Sequence, residues 1–198
     1  MLFRSKNAES PEWLKSRLAA MGLNPKNALV DVTNYVMFEL GNPLHAFDLR
    51  EVEGDTVIVR NAEEGEKFTV LGGRELTLSA NSLMIADNKK ATALAGIMGG
   101  KDSGIKDDTK DIFLEAAYFN PPTVNKTVKK FAISSDSSQR FERGTDIEGA
   151  MTAMRRASDL FVQICGGTPS VINDVYPVKF EKPTVVINLG EKIGRVKV

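Results

Sequence analysis

Short strand-like runs joined by glycine turns fill the middle of this chain, and helical patterns flank them on both sides. That order constrains the fold more than any other feature. The first run is Thr56-Val57-Ile58-Val59-Arg60. Phe68 to Leu71 and Glu75 to Leu78 flank Gly72-Gly73, which predicts a hairpin with a two-residue turn. Leu83 to Ala86 and Ile112 to Tyr118 read as further strands. Between them, Gly96, Gly99 and Gly100 mark close backbone approach or tight strand ends.

The flanks read as helices. Ser10-Pro11 is expected to open the first, with Ser10 as N-cap, Leu14, Leu18 and Met21 on one face, and Gly22 as the stop. After Asn27, the stripe Leu29, Val32, Val36 and Leu40 predicts a helix ending at Gly41-Asn42-Pro43, although the valines also allow a strand. Pro121-Pro122 opens a helix to about Phe131. Thr145-Asp146-Ile147-Glu148 has the pattern of a capping box. It is expected to start a helix with Met151, Met154, Leu160, Phe161 and Ile164 inward, closed by Gly166-Gly167. Val171 to Val175 and Thr184 to Asn188 look like strands. Helices at both ends with hairpin-linked strands between them make the expected class α+β, with mostly antiparallel strands.

Composition narrows the function. Lysine plus arginine balances aspartate plus glutamate, giving a net charge of zero over 198 residues. A domain that grips nucleic acid alone is usually basic, so any RNA contact here is expected to be local or shared with another domain. No leader-like or membrane-spanning apolar stretch occurs, and a single cysteine, Cys165, forms no internal disulfide. The expected location is the cytoplasm. One histidine and one cysteine make no zinc site, and neither a phosphate loop nor a dinucleotide fingerprint is present. Ser134, Ser135, Ser137 and Ser138 lack the surroundings of a nucleophile elbow.

Four stretches carry more. They are Asp31-Val32-Thr33-Asn34-Tyr35-Val36; Gly41-Asn42-Pro43-Leu44-His45-Ala46-Phe47-Asp48; Gly96-Ile97-Met98-Gly99-Gly100 with Leu114-Glu115-Ala116-Ala117; and Ser137-Ser138-Gln139-Arg140-Phe141-Glu142-Arg143-Gly144. In this order and spacing the chain resembles the editing domain of the beta subunit of bacterial phenylalanyl-tRNA synthetase, from roughly Ser10 to Pro177. The resemblance implies a β-sandwich-like core with flanking helices, and hydrolysis of the ester in mischarged Tyr-tRNA(Phe). It divides the chain into an extension over residues 1–9, the editing domain over 10–178 and a strand or linker over 179–198. It places Thr33, Asn34 and His45 at the reacting end of the pocket. Glu115 falls on the carboxylate that recognises the tyrosine hydroxyl, with Gly99, Pro43, Ser135 and Ser137 on the substrate-binding walls.

The resemblance further implies an alpha subunit partner in a two-alpha, two-beta assembly and the 3′ end of tRNA(Phe) carrying tyrosine. It implies no cofactor in this chain, ATP and Mg²⁺ belonging with the alpha subunit, and no membrane. Where the family often has Thr, Ala and His, this chain has Ser135, Ser137 and Gln139. The alternative is a non-catalytic tRNA-binding or subunit-assembly module. Plainer readings remain open: His45 as a structural histidine, Asn34 as a cap residue, Glu115 as a strand-end carboxylate paired to an arginine, and Arg140, Glu142 and Arg143 as a salt-bridge network. Lys126, Lys129 and Lys130 are either a solvated helix face or a contact to the RNA end. His45 is either a general base or a group that only orients water or ribose.

Overall fold

A computed structural model describes residues 1–4 and 6–180. The expected strand Thr184 to Asn188 lies outside the described residues. The helices are α1 (Glu12–Ala20), α2 (Ala28–Leu40), α3 (Pro121–Phe131), α4 (Asp136–Phe141) and α5 (Gly149–Cys165). One antiparallel sheet has the order β10 (Thr168–Pro169), β1 (Leu2–Arg4), β9 (Asp111–Ala116), β2 (Leu44–Asp48). A second antiparallel sheet runs β3 (Ile58–Asn61), β6 (Leu83–Ala86), β7 (Ala91–Leu94), β8 (Met98–Gly99), and β4 (Lys67–Thr69) pairs with β5 (Glu75–Thr77). This is the α+β class with a sandwich-like core that the sequence predicts. Since β1 lies inside the first sheet, the fold's strands begin before Ser10.

Two cores follow from strand alternation. Leu44 and Ala46 of β2, with Ile112 and Leu114 of β9, pack under Leu18 of α1, Val32 and Val36 of α2, and Phe161 of α5. Phe47 and Phe113 point the other way and pack with Met84, Ile85 and Leu94 of the second sheet. His45 and Glu115 share that second face, at its open end.

Several local expectations give way to tertiary bonds. Ser10 is no N-cap: its hydroxyl donates to the Asp31 carboxylate at 2.6 Å, and α1 starts behind Pro11 without a side-chain cap. Asn27 caps α2 by accepting from the Val30 N–H at 3.1 Å, and Gly41 ends it in the left-handed region. Leu40, the last residue of α2, is exposed, as is Met21, which follows α1 as its C-cap. The Gly72-Gly73 hairpin forms, but Val70 and Arg74 close it, so the loop has three residues, and both glycines take positive φ. Thr145 caps nothing. Its hydroxyl is buried without a partner among the described residues, and α5 begins at Gly149. The capping box sits instead on α4, between Ser135 and Ser138. In α5, Met154, Leu160 and Phe161 are buried, while Met151 and Ile164 are half-buried. Val171 to Val175 forms no strand. No strand among the described residues pairs with it, Val171 and Val175 are exposed, and β10 supplies the pairing to β1 two residues earlier.

Candidate functional site

His45 and Glu115 face each other across β2 and β9 as direct register partners. They line one side of a cavity that holds about 400 Å³ of free space, its mouth included. Leu44, Ile85, Ala93 and Leu94 supply apolar walls, and Ile97, Met98 and Gly99 add the β7–β8 turn and β8. Phe119 and Phe141, edge to face with centroids 5.0 Å apart, close one end. Gly96 permits that closure: a Cβ there would lie 2.8 Å from the Phe119 ring, and its φ is 69°. Pro43 and Ser137 complete the lining.

The two titratable side chains are left in want. The His45 ring stands edge-on to Phe47 at 4.3 Å between centroids. Its Nε2 is buried without a hydrogen-bond partner among the described residues. Burial pulls the imidazole from 6.5 to about 4, so it is uncharged at neutral pH. Gly99 presses on the same ring, since a Cβ there would lie 3.0 Å from Cε1 and 3.2 Å from Nε2. No side chain or N–H among the described residues donates to the Glu115 carboxyl, and no arginine pairs with it. Burial pushes it up from 4.5 to about 7, against the pull of the Met1 amine. By exposed area both residues are half-buried, because they open on the cavity; the atoms around them nonetheless enclose both groups.

The structure gathers Pro43, His45, Gly99, Glu115 and Ser137 around this cavity. Thr33, Asn34 and Ser135 are not in its lining. The Thr33 hydroxyl turns back into α2 and donates to the Val30 carbonyl at 2.7 Å. Asn34 sits half-buried inside α2 and caps no helix. Ser135 caps α4 by accepting from the Ser138 N–H at 3.1 Å, and donates to the Ile97 carbonyl at 2.6 Å. It thereby fixes the turn that carries Gly96 and Ile97. Ser137 donates to the Met37 sulfur at 3.5 Å, a weak acceptor, so its hydroxyl remains available to the cavity. Arg140 lies over the Phe38 ring at 4.4 Å and pairs with Asp136 at 3.6 Å, while Arg143 donates to the Gln139 carbonyl.

Ile85, Ala93, Leu94, Phe119 and Phe141 also line the cavity, and no sequence signal marks them as site residues. An apolar residue in a strand or beside a helix reads as core, and only the fold shows which core residues border a cavity. The arrangement can hold an apolar ring, offer a buried acceptor to a hydroxyl on it, and present a neutral imidazole nitrogen nearby. Among the described residues no group of three His, Cys, Asp or Glu could hold a metal ion. No described helix is long and apolar enough to cross a membrane.

Residues 3–166 match the family model described as the B3/4 domain. The chain is similar to the phenylalanine–tRNA ligase beta subunit of Carboxydothermus hydrogenoformans, 47% identical over 182 residues, which covers 91% of this chain and 23% of that protein. It is 48% identical over 177 residues to the same subunit of Geobacter sulfurreducens, covering 89% of this chain and 22% of the relative. The chain thus spans less than a quarter of the length of these relatives. Among solved structures it is similar in fold to an N-terminal fragment of the phenylalanyl-tRNA synthetase beta subunit from Pyrococcus horikoshii. There the TM-score is 0.51 at 14% identity, over 84% of this chain and 44% of that one.

Proposed function

This chain belongs to the B3/4 domain family, and on that premise we propose that it edits mischarged tRNA as part of a phenylalanine–tRNA ligase beta subunit. The reaction is hydrolysis of the ester in Tyr-tRNA(Phe). The observation that carries this reading is the Glu115 carboxyl, beside apolar walls with no donor among the described residues.

Tyrosine and phenylalanine differ by one hydroxyl, which an apolar pocket rejects only weakly. A second site that needs the hydroxyl inverts the selection. Glu115 accepts the phenolic O–H, and phenylalanine would leave it bare at a cost of about 1–3 kcal/mol, or more while it is charged. The ring fills the space between Ile85, Leu94, Phe119 and Phe141. Water attacks the ester carbonyl carbon, the bond to the ribose oxygen breaks, and that oxygen takes up a proton while tyrosine leaves as its acid. Drawn down to about 4, His45 is a poor proton acceptor at neutral pH. Its unpartnered Nε2 serves instead to hold the attacking water or a ribose hydroxyl in line. Gly99 and Pro43 shape the wall beside it, and Ser137 offers one further hydroxyl. Ser135 supports the wall through Ile97, and Thr33 and Asn34 act through the packing of α2.

The proposal extends to the setting. The domain, which includes β1 and so begins before Ser10, works beside an alpha subunit in a two-alpha, two-beta enzyme of the cytoplasm. ATP and Mg²⁺ belong to that partner, and the tRNA(Phe) end reaches this domain carrying tyrosine. A second reading, a non-catalytic tRNA-binding or assembly module, draws on the Thr33 and Ser135 hydroxyls, both of which are committed to the protein's own backbone.

Release of tyrosine from Tyr-tRNA(Phe) by the chain and by Glu115→Ala separates the two. Editing predicts clearance by the native chain, slow clearance by the variant and sparing of Phe-tRNA(Phe). Equal clearance by both proteins removes Glu115 from the mechanism. Binding of the tRNA without hydrolysis establishes the second reading.

A further inference from the structure

A second concavity lies behind Gly99. Its lining includes Lys67 and Thr69 of β4, Lys90 just ahead of β7, and Gly100, Lys101 and Ser103 just past β8, around about 470 Å³ of free space, mouth included. Three lysines from separate segments converge here, in a chain whose net charge is zero. The one acid in the lining is Asp102.

The floor is rigid. The Lys101 N–H donates to the Thr69 carbonyl at 3.0 Å, the Gly100 N–H to the Thr92 carbonyl at 2.8 Å, and the Ser103 hydroxyl to the same Thr92 carbonyl at 2.7 Å. Only glycine lets the chain run this low: a Cβ on Gly100 would lie 2.8 Å from the Thr92 oxygen and 3.2 Å from the Phe68 ring.

The charges are not spent evenly. The Lys67 ammonium donates to the Thr77 hydroxyl at 2.7 Å and stands 3.5 Å from Glu75. Lys90 and Lys101 are exposed and form no ion pair among the described residues. Buried Asp87 offsets part of the Lys90 charge and Asp102 stands in the lining, yet three lysines against that one lining carboxylate leave the concavity net positive, which favours an anion. Consecutive residues divide the two cavities: Gly99 lines the first and Gly100 the second, with Cα atoms about 3.8 Å apart. The two linings therefore adjoin at Gly99–Gly100.

We propose that this lysine-lined concavity binds backbone phosphate of the RNA strand whose aminoacyl end enters the first pocket. The inference rests on the editing function proposed above. Lysine is a point charge suited to phosphate and reads no base, so the contact positions the strand without selecting sequence. The lysines of α3 make a contrasting surface. Lys126, Lys129 and Lys130 line neither this concavity nor the ester pocket, and Lys130 lies over the Phe131 ring.

The test is fluorescence anisotropy of a labelled single-stranded RNA ending in CCA, titrated with the chain across a salt series. Lys90→Glu/Lys101→Glu is compared with Lys126→Glu/Lys129→Glu, all at exposed positions. The expected result is at least a tenfold weaker complex for the first pair and less than a threefold change for the second. The log–log salt slope should fall by about 1.4 for the first pair, roughly 0.7 for each of two phosphates. Lys90→Arg/Lys101→Arg should restore binding. No RNA binding by the native chain, or equal loss in both pairs, overturns the proposal. So does inorganic phosphate displacing the RNA at the concentration expected of a free-anion site. Hydrolysis of tyrosine methyl ester, which has no phosphate, should be unchanged in Lys90→Glu/Lys101→Glu. A native chain that binds RNA yet shows no preference for tyrosine would count against the editing function and leave the phosphate site standing.

Discussion

Asp48, buried, and Glu115, half-buried against the cavity, are carboxylates on the same two-strand ladder, near opposite ends of the β2–β9 pairing. At the Asp48 end every need is met. Arg50 donates from its backbone and its guanidinium, and the Thr109 hydroxyl donates at 2.6 Å. Burial alone would raise that carboxyl, but these bonds together outweigh it and hold Asp48 below its ordinary value. At the Glu115 end burial acts with no bond to oppose it, and the carboxyl rises to about 7. One carboxylate is bonded within the fold; the other is left without a bond, facing the cavity. A protein can build either from the same strands by choosing what surrounds each carboxyl.

Removing the satisfied carboxylate should have the largest effect. Asp48→Ala strands the Thr109 hydroxyl and the Arg50 donors, and is expected to cost about 2–3 kcal/mol in urea unfolding. Glu115→Gln should stay within about 1 kcal/mol of the native chain or exceed it, because a neutral amide suits that site better than a charge. Equal losses would break the comparison.

The same contrast appears in pH dependence. Between its unfolded value of 4.5 and its folded value of about 7, Glu115 holds a proton that the unfolded chain has released. Its contribution to stability is therefore full below about 4.5 and lost as pH rises through about 7. His45 acts oppositely: its contribution is present above 6.5 and lost as pH falls through about 4. The two slopes oppose each other in the native chain. Urea midpoints across this range should fall more steeply towards acid in Glu115→Gln than in the native protein. Parallel profiles would contradict the account.

Gly99→Ala should act more locally. Its new Cβ would sit 3.0 Å from the His45 Cε1, so the imidazole must shift. Ester hydrolysis is expected to drop about three- to tenfold, under ~1.4 kcal/mol of barrier, with a changed chemical shift for the chain's one imidazole. Unchanged hydrolysis with a shifted ring would remove His45's position from the mechanism. Ser137→Ala should do least. Its hydroxyl holds only the Met37 sulfur, so stability should stay within about 0.5 kcal/mol and tyrosine binding within about twofold.

Much of this was legible in the sequence, unevenly. The α+β class and the strand Leu83–Ala86 follow from local pattern. The order of four motifs brought Pro43, His45, Gly99, Glu115 and Ser137 to one cavity, although they span residues 43 to 137. Caps were less legible, because a serine has several partners to choose from. Ser135 bonds Ser138 three residues on, whereas Ser10 bonds Asp31, a partner 21 residues away that only the fold brings near. Strands of two or three residues, such as β1 and β8, are too short to show alternation and exist only through their partners. Thr33 and Ser135 sit beside the site in sequence, yet their hydroxyls turn to backbone oxygens, a choice made by rotamer and packing.

The central claim is that Glu115 waits for a phenolic hydroxyl. Calorimetric titration of the native chain and of Glu115→Ala with L-tyrosine and L-phenylalanine tests it most directly. The account predicts that the native chain prefers tyrosine by about tenfold or more, ~1.4 kcal/mol, and that Glu115→Ala abolishes the preference. Equal affinities in the native chain, or a preference that survives the substitution, would contradict it.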